Sequence, residues 1–230
     1  MLYFFYKNCV LTVPHLFYAF YNGFSGQTIF DDNYISFYNL FYTSWPIVIK
    51  ATFDQDINYQ MEGEQLKALY PKLYYIGSKS TLFNWSNYYN ANVLGFIHAL
   101  ICFYVPLYIF QDTNILLSGT GQNTDIWSLS ITSFTCLYSV VTTKIIINTR
   151  WWTNVSYFFY SVMSILVYVA YVWLSNYWNQ SKVIHSVIET HMSPLFWLCI
   201  LLIGGSVMLS DLVLEYVRMQ SFRNASDYLR

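Results

Sequence analysis

The stretch MSPLFWLCILLIGGSVMLS, residues 192–210, contains no Lys, Arg, Asp or Glu. An α-helix rises about 1.5 Å per residue, so about 20 apolar residues cross the hydrocarbon core of a bilayer. This stretch reads as such a helix, and it is not alone. Windows 8–30, 33–49, 91–110, 126–143 and 155–174 are equally free of charge. They predict an all-α polytopic membrane protein, a bundle of six helices over 2–23, 34–53, 91–110, 126–146, 155–174 and 194–214. The window 33–49 is the shortest and reaches 53 only if Lys50 snorkels to the interface. A longer cytosolic loop, 54–90, and a tail, 215–230, complete a single membrane domain.

Composition agrees. Of 230 residues, 56% are hydrophobic and 21% aromatic, while 10% are charged, against about 25% charged in an ordinary soluble domain. Intrinsic disorder is excluded by that hydrophobicity. A net charge of −1 leaves no electrostatic footprint for nucleic acid. Cys9, Cys102, Cys136 and Cys199 all lie in apolar runs and read as packing thiols. No internal repeat is visible. The basic residues give an orientation. Lys67, Lys72, Lys79, Lys144, Arg150, Arg218, Arg223 and Arg230 fall on the side of the termini, and only Lys182 on the other. The positive-inside rule then places both termini in the cytosol. Of the glycosylation triplets, only the one at Asn179 lies in a loop read as external, so Asn179 is the expected glycan site.

Polar residues inside spans carry the functional information. In the first span Lys7 adjoins a stripe of Asn8, Thr12, His15 and Asn22, one helical face by spacing. Pro14 removes the partner of the Val10 carbonyl, so a bend is expected there. In the second span Asn39, Thr43, Pro46 and Lys50 repeat that spacing, with Pro46 freeing the Tyr42 carbonyl. Facing one another, the stripes would form a polar groove; interhelical packing alone accounts for them equally well. His98 reads as an interhelical hydrogen-bonding group. His185, Glu189 and His191 lack a credible metal geometry, Gly119 and Gly121 mark only a turn, and Asp31, Asp32, Asp54 and Asp56 read as solvated acids or helix caps. No catalytic nucleophile, nucleotide motif or metal site is present, so this chain alone is expected to hydrolyse nothing.

A series of short motifs then becomes specific. Tyr3-Phe4-Phe5-Tyr6-Lys7-Asn8, Phe20-Tyr21-Asn22-Gly23-Phe24-Ser25-Gly26-Gln27, Phe37-Tyr38-Asn39-Leu40 and Phe53-Asp54-Gln55-Asp56 resemble the C-terminal membrane region of P-type ATPases of the phospholipid-flippase class. The resemblance continues in order through Leu69-Tyr70-Pro71-Lys72-Leu73-Tyr74, Phe83-Asn84-Trp85, Gly95 with His98, and Thr149-Arg150-Trp151-Trp152-Thr153. Two departures stand out: His15 replaces the usual Gln, and Lys50 is unusual for the family. The resemblance implies helices five to ten of a ten-helix pump that moves phospholipid from the exoplasmic to the cytosolic leaflet. It implies a headgroup path along Lys7, Asn8 and Asn39, and a plasma-membrane, Golgi or endosomal location. ATP and Mg2+ would belong to actuator, phosphorylation and nucleotide-binding domains that are not in this sequence, and a two-span glycosylated accessory subunit is an implied partner. The abrupt apolar beginning is expected of a segment cut from something longer. A flippase-derived scaffold without transport and an unrelated channel or transporter are the competing readings.

Overall fold

A computed structural model describes residues 2–55, 83–111, 125–175, 177 and 186–221. The first helix, α1 (Leu2–Tyr21), is followed by α2 (Asp32–Phe37), a wide π-helical segment (Tyr38–Tyr42) and α3 (Ser44–Phe53). Then come α4 (Trp85–Gln111), α5 (Ile126–Asn148) and α6 (Asn154–Tyr157). A second π-helical segment (Phe158–Met163) leads into α7 (Ser164–Ser175), α8 (Ser186–Met192) and α9 (Pro194–Ser221). No strand occurs among the described residues. Much of the loop 54–90, the glycan candidate Asn179, Gly119, Gly121 and His185, and the tail from 222 lie outside the described residues.

Local chemistry explains the boundaries. Gly23 takes φ +63° just past α1, and the Phe24 N–H returns to the Ala19 carbonyl at 2.9 Å. That is a left-handed helix stop, which glycine adopts without a Cβ penalty. Asp125 caps α5 by accepting the Ile126 N–H at 2.6 Å, and Thr153 caps α6 through the Ser156 N–H at 3.2 Å. Helix α4 starts six residues before the expected 91, and α9 runs past the expected 214 to Ser221.

Among the described residues, four helices are long and apolar enough to cross a membrane: Trp85–Gln111, Ile126–Asn148, Asn154–Ser175 and Pro194–Val217. The protein is therefore a polytopic all-α membrane protein. Six such helices were expected from the charge-free windows, and the first two do not meet that standard. Helix α1 has the length, but Lys7, Asn8 and His15 dilute its apolar character. The second candidate is broken into α2, the wide turn and α3, none of which has spanning length. Pro14 does not interrupt α1, which runs on through it. The break falls in the second element, just ahead of Pro46.

Helix α5 is the centre of the bundle and its most buried long helix. Its Phe134 is ringed by Phe30, Tyr34, Tyr38, Tyr42 and Tyr168, with Phe30 and Tyr34 edge-on at centroid distances of 5.3 and 5.0 Å. Edge-to-face pairing adds about 0.5–1.5 kcal/mol per pair beyond area burial. This aromatic core holds the broken second element against α5. It thereby fixes the wall that faces Lys7.

Candidate functional site

Lys7 is the organising residue. It sits on α1 and is almost fully enclosed, at 1% exposure. Its Nζ donates to Asn39 Oδ1 at 2.7 Å and to Thr43 Oγ1 at 2.7 Å. The ammonium also lies 5.1 Å from the centroid of Phe4 and 5.4 Å from that of Tyr38, within cation–π reach. No carboxylate among the described residues comes within ion-pair distance of it. A cation in a bilayer interior is costly, by at least about 2.5 kcal/mol if it faces lipid. Here the compensation comes from neutral dipoles and ring faces alone.

The wide turn builds the opposite wall. The Thr43 N–H reaches back five residues to the Tyr38 carbonyl at 3.1 Å, and the Thr43 hydroxyl donates to the same carbonyl at 2.8 Å. A hydroxyl that donates there has lone pairs left for the Lys7 ammonium. The Ser44 hydroxyl bonds the Leu40 carbonyl in the same way. Pro46 lies within the first turn of α3, where a missing N–H costs no helical bond. The Tyr38 hydroxyl closes the pocket by donating to the Lys7 carbonyl at 3.0 Å. π-Bulges occur often at functional sites because they reposition side chains without unravelling the helix.

The structure thus brings Lys7, Asn39 and Thr43 together and leaves the rest of the stripe apart. Thr43 is buried, whereas Asn39 stands exposed at the rim. Asn8, one position on from Lys7, is half-buried and shares no hydrogen bond with that trio. Thr12 is exposed and turns back to the Asn8 carbonyl at 3.0 Å. His15 bonds the Leu11 carbonyl through Nδ1 at 3.0 Å and packs edge-on against Phe30, while its buried Nε2 has no partner among the described residues. Asn22 closes the turn after α1 by donating to the Gln27 carbonyl at 2.9 Å.

Lys50 leaves its expected face. Its partly exposed side chain pairs with Asp54 at 3.6 Å and bonds the Asn148 carbonyl. Asp54 Oδ1 in turn accepts the N–H groups of Arg150 and Trp151 at 3.0 and 2.8 Å. The end of α3 is therefore clasped to the turn between α5 and α6. Asp54 is no free solvated acid, and Asp31 is buried. Sequence reasoning missed a second charged centre: Lys144 and Asp211 form an ion pair at 2.6 Å, with Asp211 buried. Next to it His98 Nδ1 meets the Tyr6 hydroxyl at 2.7 Å, the interhelical bond expected of it. A Lys and an Asp inside two otherwise apolar spans were the available signal. All four cysteines are free.

The arrangement is that of a membrane segment in which a buried cation faces a broken helix carrying amides and hydroxyls at its opening. Comparison with known sequences gives the same class. Residues 1–224 match the family described as phospholipid-translocating P-type ATPase C-terminal. Human phospholipid-transporting ATPase ID is 31% identical over 234 residues, 99% of this chain and 19% of the relative. Phospholipid-transporting ATPase IC of Xenopus tropicalis is 35% identical over 157 residues, 68% of this chain and 12% of the relative. Human phospholipid-transporting ATPase IC is 28% identical over 243 residues, 99% and 18% respectively. The chain belongs to the phospholipid-translocating P-type ATPase family and corresponds to its C-terminal membrane region. It spans about a fifth of the length of these relatives.

Proposed function

We propose that this chain is the lipid-handling membrane part of an ATP-driven phospholipid translocase that moves lipid from the exoplasmic to the cytosolic leaflet. The observation that carries this reading is the Lys7 ammonium, enclosed with no carboxylate among the described residues within ion-pair distance, and with Asn39 at the rim in front of it. Such a cation has an unmet preference for an anion, and the phosphate of a lipid headgroup supplies one. Asn39 and the half-buried Asn8 offer donors and acceptors to the remaining headgroup atoms. Thr43 and the wide turn hold the ammonium in place and can release it when a better acceptor arrives. Thr12 and His15 lie further along α1, towards the exoplasmic side, and would meet lipid before Lys7.

The rest of the machine is proposed with it. ATP and Mg2+ would bind domains beyond this chain, whose own residues bind and orient lipid. Both termini would face the cytosol, in a plasma, Golgi or endosomal membrane. A two-span glycosylated subunit would be the partner, and Asn179 the candidate glycan site of this chain.

The test uses the 230-residue chain in phosphatidylcholine nanodiscs with photoactivatable phosphatidylserine. Labelling should concentrate on residues 2–21 and 32–53. A charge-assisted hydrogen bond contributes about 1.5–3 kcal/mol, so Lys7→Ala should raise the half-saturating lipid concentration by about 10- to 150-fold. Photoactivatable diacylglycerol, which lacks the phosphate, should label weakly and without regard to Lys7. Equal labelling of Lys7→Ala and the parent chain would overturn the proposal.

A further inference from the structure

We propose that Tyr6, His98, Lys144 and Asp211 act together as a clamp that sets the rotation of α1 and so aims Lys7 at Asn39 and Thr43. His98 is thus a positioning residue for the headgroup site. This rests on the reading of Lys7 as that site. Tyr6 and Lys7 are consecutive, so their side chains leave α1 about 100° apart. Whatever fixes the direction of Tyr6 therefore fixes the direction of Lys7.

Tyr6 is held on every side. Its hydroxyl meets His98 Nδ1 of α4 at 2.7 Å. The Lys144 ammonium of α5 stands 5.8 Å from the Tyr6 ring centroid and is itself held by Asp211 of α9 at 2.6 Å. Backbone packing closes the remaining side. A Cβ added at Gly95 of α4 would lie 3.2 Å from both Tyr6 Cδ2 and the Tyr6 carbonyl oxygen. One turn earlier on the same face, the Tyr3 hydroxyl donates to the Val141 carbonyl of α5 at 3.0 Å. Groups from α4, α5 and α9 thus gather at Tyr6, while the Lys7 ammonium meets the broken element at Asn39 and Thr43.

A buried ion pair is weak evidence of stabilisation, because apolar residues of equal volume often do as well or better. Its best-attested use is to fix register, which is the role assigned here.

The rotation can be read without lipid. In a chain carrying Cys9→Ser, Lys7→Cys and Asn39→Cys, a short bis-methanethiosulfonate reagent should join positions 7 and 39. Adding Tyr6→Phe, which keeps the ring and its volume, should slow that cross-link at least twofold. His98→Ala should slow it at least fivefold, and so should Lys144→Ala. The exchanged pair Lys144→Asp with Asp211→Lys should recover the rate to within twofold. In chains that retain Lys7, Tyr6→Phe and His98→Ala should raise half-saturating phosphatidylserine without altering diacylglycerol labelling. Unchanged cross-linking in folded Tyr6→Phe and His98→Ala chains overturns the clamp, whatever the lipid data say. Slowed cross-linking with Lys7-independent lipid labelling would support the clamp and count against the headgroup reading alone.

Discussion

Removing one partner of the Lys144–Asp211 pair should be among the most destabilising single changes available in this chain. The two ends differ in a way that sets the order of the effects. The Asp211 side chain is 3% exposed and that of Lys144 is 17% exposed. Breaking a buried ion pair by truncating one partner costs about 3–5 kcal/mol, because the other charge is left buried. Lys144→Ala strands the more deeply enclosed group and should fall near 5 kcal/mol on that scale. Asp211→Ala strands a longer and less enclosed side chain and should fall near 3 kcal/mol. The double variant Lys144→Met with Asp211→Leu leaves no charge behind and should cost less than either single change. Loss of helical circular dichroism in titrations of sodium dodecyl sulfate against dodecyl maltoside would report all three. Single variants that each lose under about 1 kcal/mol, or a double variant that loses the sum of both, would refute the reasoning: the pair would then be a solvated surface contact.

Two further outcomes follow from close contacts. Gly95→Ala places a methyl group 3.2–3.3 Å from Tyr6 and Cys9, and overpacking of that kind costs about 1–3 kcal/mol; the same detergent titration should show the loss. Asp54→Ala removes the acceptor of the Arg150 and Trp151 N–H groups. It should open the α5–α6 turn, so trypsin should cut after Arg150 several times faster than in the parent chain, with the bundle core still helical.

The bundle was legible because charge-free windows report on the bilayer directly. Windows 91–110 and 155–174 fall within continuous helical stretches, Trp85–Gln111 and Asn154–Ser175. The broken second element was less visible. The stripe Asn39, Thr43, Pro46, Lys50 assumes an unbroken helix. Asn39 and Thr43 meet Lys7 as the stripe requires, yet Lys50 reaches Asp54 and Asn148, because the wide turn intervenes. Nothing in Tyr38-Asn39-Leu40-Phe41-Tyr42 names a π-turn; it is imposed by Tyr38 and Tyr42 packing around Phe134. On α1, Lys7 reads as an adjunct to the amide stripe, yet it is Lys7, and not Asn8, Thr12, His15 or Asn22, that meets Asn39 and Thr43. Lys144 and Asp211 escaped notice because each lies near the end of its span, where charge is ordinarily assigned to the interface. Only the third dimension shows that they pair, with Lys144 beside the Tyr6 ring of α1.

The wide turn at Tyr38–Tyr42 also bears on how chains of this kind should be aligned. A π-turn stores one residue more than an α-turn over nearly the same axial length. Residues before and after it are therefore out of phase by about 100° relative to one continuous helical wheel. A relative one residue shorter between Phe37 and Ser44 need not have a shorter loop anywhere. It would have a regular helix there, with the Lys50–Asp54 end turned against the Asn39 end. An alignment gap at this place marks a change in which side chains look at the cation, and a single-residue insertion or deletion is here a change of facing and not of length.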